Sequence, residues 1–253
     1  MTRKLKFESA EPLEKLVDRI YRNRFPQRVQ DRRSAVWRVL CRSWFSRYIP
    51  KGARVLEVAA GYCEFINNIP ASKKVAVDLN PETRLHAGHN VIFHHTAAER
   101  LGEVVPRTYF DAAFMSNFLE HCRTREQVLA VLSAVYDALK PGGCVLILGP
   151  NFRCCPREYY DFFDHHLALT EKSVAEALQL AGFNVEVVQP RTLPFTFRSR
   201  LPSWPWLVWL YLQLPWLWRF FGAQFFLVGR KSARPDRSRE PSIPSTQATL
   251  ASG

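Results

Sequence analysis

Residues 55–65 read VLEVAAGYCEF, and residues 75–81 read VAVDLNP. A short apolar strand runs into a turn of small residues. A second apolar strand then ends in a carboxylate, Asp78, about 20 residues after the Glu57 that closes the first. This is the layout of a nucleotide-binding βαβ unit, in which a small turn lets backbone approach a cofactor and the second acid accepts hydrogen bonds from a ribose diol. The three positions that are usually glycine are Ala59, Gly61 and Cys63. Taken alone, the stretch is therefore also compatible with an ordinary strand-turn-helix.

Outward from this unit, strands and helices alternate. Strands are predicted over residues 54–59, 74–78, 91–95, 110–116, 144–148, 183–189 and 224–229. Helices are predicted over 64–68, 125–139 and 170–181, the last with Thr170 as N-cap and Gly182 beyond its end. Lys140-Pro141-Gly142-Gly143 reads as the turn that ends the long helix. Such alternation predicts an α/β fold, a mainly parallel sheet with helices on both faces. Upstream, residues 11–48 read as helical, with Leu13, Leu16, Val17 and Ile20, then Val36, Val39, Leu40 and Phe45, at helical spacing; Pro26 separates two helices. The organisation expected is an N-terminal helical segment (1–49), a main domain (50–231) carrying an insert at 191–222, and a Ser-, Pro-, Arg- and Thr-rich tail (232–253) expected to be disordered.

Composition narrows the classes. A chain of 253 residues suits one α/β domain with appendages. Six cysteines without a Cys-x-x-Cys read as reduced thiols in a cytosolic protein, and the start shows no secretory signal pattern. A metal site from Cys154, Cys155, His165 and His166 fits no familiar zinc spacing, and no metal is expected. The net charge of +12 sits at the two ends, while the middle is mildly acidic. Basic flanks suit nucleic acid, anionic lipid or a phosphorylated substrate, or are merely solvated helix faces.

The ordered pieces VLEVAAGYCEF, VAVDLN, HHTAAERL, YFDAAFMSNFLEH, LKPGGCVLILGPN and GFNVEVV together resemble a class I S-adenosylmethionine-dependent methyltransferase, over roughly residues 50–231. Within that class the chain is similar to bacterial type 11 methyltransferase-domain proteins. The resemblance implies a Rossmann-like seven-stranded sheet whose last strand, GAQFFLVGRK, is antiparallel. It implies S-adenosylmethionine as cofactor. Glu57 would contact the methionine moiety, directly or through water. Ala59, Gly61 and Cys63 would form the cofactor loop, with Cys63 the position where a side chain could crowd the cofactor. Asp78 would bind the ribose, with Leu79 beside the adenine. Thr96 and Ala97 stand where the family places an acidic contact to the adenine amine. Asn117 and Phe118 would lie beside the transferring methyl.

Methyl transfer needs an in-line nucleophile and, for a hydroxyl or amine, a proton acceptor. Two clusters follow the fourth and fifth strands: Glu120-His121, and Tyr159 through His166. Both lie beyond carboxyl ends of strands, where α/β sheets bind ligands. The expected base is His165 or His166, oriented by Asp161 or Asp164, with His121 next; a structural role is the alternative for each. Asn151 is a candidate substrate contact.

From Leu201 to Trp218 there are 18 residues without charge, and five of the seven tryptophans fall in this insert. Its three prolines, and the strand that follows at once, argue against a membrane span. Arg191, Arg198, Arg200 and Arg219 flank it, as suits aromatic rings dipping into a headgroup layer. A surface helix or lid is expected over 201–221, with a dimer interface, an arm folded over its own core, or a span as alternatives.

The resulting expectation is O-methylation of a small-molecule, glycan or lipid-linked acceptor near the inner face of a membrane. Alternatives are an RNA or protein methyltransferase using the basic flanks, or a non-catalytic module. Nucleic acid is not the expected partner, because no Asn/Asp-Pro-Pro-Tyr or catalytic cysteine motif occurs. A homodimer is compatible with the insert.

Overall fold

The computed structural model describes residues 27–195 and 204–233. The predicted helix before Pro26, Arg198, Arg200 and most of the tail lie outside these residues. Seven strands form one sheet: β1 (Arg54–Val58), β2 (Lys73–Asp78), β3 (Val91–His95), β4 (Phe110–Ser116), β5 (Leu139–Pro150), β6 (Phe183–Gln189) and β7 (Gln224–Lys231). Their order is β3-β2-β1-β4-β5-β7-β6. The pairs from β3 through β5 are parallel, and β7 runs antiparallel to both β5 and β6. The predicted fold class is the one observed.

The sheet is buried on both faces, so its central strands read as nearly continuous apolar runs. Successive residues point to opposite faces. Leu56, Val58, Val75, Val77, Ala113, Met115, Val145 and Ile147 pack under α3 (Arg125–Ala138) and α4 (Glu171–Leu180). Their neighbours Val55, Ala76, Ala112, Phe114, Cys144 and Leu146 face α1 (Gln27–Ser43) and α2 (Glu64–Asn68). On that second face Phe114 stacks on Phe65 with ring centroids 3.8 Å apart, and Phe45 and Trp37 close around it. Thr170 caps α4 as read from the sequence, in a reciprocal capping box with Ser173.

Lys140–Gly143 does not end a helix and wait for a strand. It belongs to β5, which opens at Leu139 opposite Phe110 and then bulges before Cys144 pairs with Ala112. Gly142 adopts φ +78°, and a Cβ on Gly143 would lie 2.9 Å from the Lys140 carbonyl. Two glycines therefore let the strand bulge, Gly142 by its left-handed φ and Gly143 by leaving room for backbone on three sides.

The insert forms two short helices, α5 (Pro205–Gln213) and α6 (Pro215–Phe221), each started by a proline at its first position. Neither is long and apolar enough to cross a membrane, nor is any other helix among the described residues. α5 packs against α1, burying Leu212. Trp218 turns inward onto Trp44 at 5.6 Å and donates its indole N–H to the Tyr211 carbonyl at 3.0 Å. Arg191 donates to the Gly222 carbonyl, so it braces the arm from beneath. A methyl group on Gly222 would fall 2.5 Å from the Trp218 carbonyl and 2.8 Å from the Thr192 amide, backbone on both sides. Gly222→Ala is therefore expected to cost about 1–3 kcal/mol, read as a fall of several degrees in the melting midpoint.

Candidate active site

The carboxyl ends of the parallel strands share one edge. Glu57 pairs with Ala76 and with Phe114, and Asp78 with His95. This register sets the ends of β1, β2, β3 and β4 side by side. The chain leaves β1 through Ala59, Gly61 and Cys63, and all three have left-handed φ, at 55°, 50° and 55°. The three family glycine positions thus keep their glycine-like backbone although two carry side chains. Each non-glycine residue there costs on the order of 1 kcal/mol.

Cys63 does not crowd the loop's open side. It is fully buried, packs in the core beside Phe65 and Ile66, and its thiol points to the Thr83 carbonyl at 3.8 Å. Burial, reinforced by the Glu57 charge, raises its thiol above the ordinary range, so it stays a neutral packing group. The loop is pinned from outside by α1, where Arg33 donates to Glu64 at 2.7 Å.

Asp78 closes β2. One carboxylate oxygen accepts the Gly61 N–H at 2.7 Å and the other accepts the Asn80 N–H at 2.7 Å. Burial raises its pKa, and the two amides pull it part of the way back. An ionised carboxylate offers about four lone-pair sites. The amides take two, and the Thr83 hydroxyl that takes a third can rotate away, which leaves two for a diol. Asn80 was not foreseen. Its side chain accepts from the Glu82 N–H and caps the turn at Pro81–Leu85; the Asn-Pro after the acid was its signal. Leu79 is half-buried beside it, and its carbonyl meets His95 Nε2 at 2.9 Å.

Glu57 is buried at the end of β1 and accepts the Ile66 N–H at 3.0 Å. Burial holds its carboxyl above the usual range, against the pull of that amide. Thr96 follows β3 and donates its N–H to the Asp78 carbonyl at 3.0 Å, and both it and Ala97 are half-buried. Asn117, at φ 47°, sits exposed just past β4 with its N–H on the Leu148 carbonyl; Phe118 packs against the core. A buried diol acceptor beside a left-handed small-residue loop, with Glu57 adjacent, suits the donor set of a nucleoside with an attached amino acid.

The second cluster lies beyond β4 and β5. Glu120, His121 and His165 bring one ligand atom each within 4.8 Å of one another. Asp164 was expected to orient His165 or His166. Instead its backbone carbonyl meets His121 Nδ1 at 2.9 Å and its carboxylate lies 3.2 Å from the same nitrogen. The chain turns here, with the His165 N–H on the Phe162 carbonyl at 3.1 Å, and the turn presents Asp164 to His121. The His165 ring turns inward, stacking on Phe162 at 5.0 Å with Tyr159 edge-on at 4.9 Å. His166 turns out to solvent, and its N–H donates to the Glu120 carbonyl at 2.8 Å. Asp161 is exposed. Tyr159 secures the loop, donating to the Leu167 carbonyl at 2.7 Å.

Asn151, read as a candidate substrate contact, has its side chain engaged inside the protein instead. It is fully buried, donates to Glu171 and to the Pro190 carbonyl, and accepts the Arg153 N–H. It ties the end of β5 to α4. Cys154 and Cys155 are free thiols, Cys155 buried.

A family model described as a methyltransferase domain, type 23 rather than type 11, matches residues 29–188. Comparison with curated proteins gives no match. Among solved structures, the chain is similar to a SAM-dependent methyltransferase from Archaeoglobus fulgidus, with TM-score 0.59 and 19% identity over 79% of this chain and 94% of that one. It is similar to a possible histamine N-methyltransferase from Thermotoga maritima, with TM-score 0.60 and 18% identity over 84% and 98%. It is also similar to a complex of the Haloferax volcanii Trm112 methyltransferase activator with a putative methyltransferase, with TM-score 0.61 and 12% identity over 89% and 100%. At these identities the structures show the fold, and the matched model, which spans more than half of the chain, shows the family. The expected cofactor is S-adenosylmethionine, and the chain belongs to the methyltransferase-domain family as a class I S-adenosylmethionine-dependent methyltransferase.

Proposed function

We propose that the chain methylates an oxygen of an amphipathic acceptor, a lipid-linked sugar or similar molecule, at a membrane surface. The observation that carries this reading is the outer face of α5 and α6. Trp204, Trp206, Trp209, Leu210, Trp216, Phe220 and Phe221 are all at least 40% exposed, on an arm whose inner face is anchored to α1. Patches of this kind mark interaction surfaces, and tryptophan suits the boundary between headgroups and acyl chains. Arg219 lies exposed among them, placed to meet lipid phosphate.

The chemistry divides between the two halves of the strand edge. Bound S-adenosylmethionine supplies an electrophilic methyl on a sulfonium. Asp78, Gly61 and the half-buried Leu79 would hold its nucleoside end, and Glu57 its amino-acid end. Asn117 and Phe118 would border the reacting centre. The Glu120, His121, Asp164 and His165 cluster would meet the acceptor hydroxyl, and its role is to promote loss of that proton.

Liposomes of mixed neutral and anionic phospholipid are expected to sediment the protein. Replacing Trp206, Trp209 and Trp216 together by Ser should cut the bound fraction at least tenfold, since each ring buried contributes about 1.5–3 kcal/mol. Sedimentation unchanged by the triple variant would remove the membrane reading. A shift from dimer to monomer in the same variant would assign the face to self-association.

A further inference from the structure

We propose that Glu120, His121 and His165 form a binding site for a divalent transition-metal ion of the zinc, manganese or iron(II) type. Sequence spacing gave no sign of it, because α3 and β5 separate Glu120 from His165, and the cysteines nearby drew attention instead.

Three features converge on one point. The first is the donor set: one carboxylate and two imidazoles, with ligand atoms within 4.8 Å of one another. Two histidines and one acid hold a metal in many open sites, leaving a coordination position for a further oxygen. Nitrogen donors favour a transition metal over magnesium or calcium, which prefer an all-oxygen shell. A tetrahedral ion about 2.1 Å from each donor sets the donors roughly 3.4 Å apart. His121 Nε2 and Glu120 Oε1 already stand 4.0 Å apart, so loading needs a modest contraction.

The second feature is orientation. The Asp164 backbone carbonyl, at 2.9 Å, and its carboxylate, at 3.2 Å, both face His121 Nδ1, which leaves Nε2 toward Glu120. A carboxylate on the far nitrogen of a ligand histidine fixes its tautomer and strengthens it as a donor. Packing between Phe162 and Tyr159 holds the His165 ring in place.

The third feature is charge. Glu120 is 2% exposed, and a buried carboxylate gains from a cation beside it. A cation would neutralise this negative centre. His121 and Asp164 are each about a quarter exposed, at 27% and 25%, so the site opens to solvent on their side.

The metal's place in methyl transfer rests on the O-methylation reading; its binding does not. On the open coordination position an acceptor hydroxyl would form a metal–oxygen bond, its O–H bond would break, and the proton would pass to solvent water. The alkoxide held there would attack the sulfonium methyl, forming the O–C bond as the C–S bond breaks and the thioether S-adenosylhomocysteine leaves, with no change of oxidation state at the metal.

The test uses the untagged full chain, freed of metal by a chelator and then titrated with Zn2+ by calorimetry and with Co2+ by visible absorption. One Zn2+ per chain is expected, with a Co2+ spectrum of nitrogen and oxygen ligation. Glu120→Gln, His121→Ala and His165→Ala should each weaken Zn2+ binding about 100-fold or more. Asp164→Asn removes the carboxylate but keeps the backbone carbonyl on Nδ1, and should weaken it about 10-fold, the lower end for a positioning residue. S-adenosylmethionine binding and the melting midpoint serve as folding controls, and the partly exposed His121 and Asp164 give variants that keep the fold if Glu120→Gln does not. No stoichiometric binding, a thiolate-to-cobalt absorption band, or unchanged affinity in His121→Ala and Asp164→Asn would overturn the site. Loss of the metal site with cofactor binding intact leaves the methyltransferase reading standing. Metal binding without any S-adenosylmethionine binding would sink that reading and keep the site.

Discussion

Asp78→Ala is expected to abolish measurable S-adenosylmethionine binding by calorimetry, a loss of at least 100-fold. The carboxylate at the end of β2 is the proposed diol acceptor, and each hydrogen bond to a charged acceptor contributes about 1.5–3 kcal/mol. Two such bonds exceed the roughly 2.7 kcal/mol that separates affinities by 100-fold. The same carboxylate accepts the Gly61 and Asn80 amides, so its removal also loosens the cofactor loop. Asp78→Asn keeps an acceptor oxygen but not the charge, and should bind more weakly than the wild type and more tightly than Asp78→Ala. Acid should act in the same direction. Burial raises the Asp78 pKa, so protonation, and with it loss of affinity, begins at a higher pH than an ordinary aspartate would show. Wild-type affinity in Asp78→Ala would mean that the nucleoside is held elsewhere.

Phe114→Ala should destabilise the fold by about 3–5 kcal/mol, lowering the melting midpoint by on the order of 10 °C. Phe114 is fully buried at the centre of β4. Its ring is stacked on Phe65 of α2 and touched by Phe45 and by Trp37 of α1. The cavity would sit under the helix that carries the cofactor loop, so weaker S-adenosylmethionine binding should accompany the lost stability. Phe163→Ala is the control: its ring is 88% exposed, and a change within about 0.5 kcal/mol is expected. Equal midpoints for both variants would show that the aromatic cluster does not hold the two layers together.

Much of the fold was legible because its signals are local. VLEVAAGYCEF and VAVDLN each carry an apolar strand and a turn, and Thr170 carries its own cap. The LKPGG segment misled because Pro-Gly-Gly chemistry serves a bulge as well as a turn; only pairing with Phe110 and Asp111's neighbour Ala112 distinguishes the two. In the insert, composition announced an apolar arm but not which rings it would bury. Trp218 closes onto Trp44 while Trp206, Trp209 and Trp216 face outward, a choice made by packing against α1.

The sequence by itself determined the α/β alternation, the cofactor-loop positions and the acid at Asp78, since each depends on residues close together in the chain. The tertiary structure alone decided three things. Cys63 turns its thiol into the core rather than across the loop, because a left-handed φ rotates the side chain away from the open side. Asn151 is absorbed into a buried tie between β5 and α4. Asp164 serves His121 rather than its own neighbours. Each depends on how separate elements pack; for Asp164 and His121 it is the register of β4 beside β5 that brings the loops that follow them face to face.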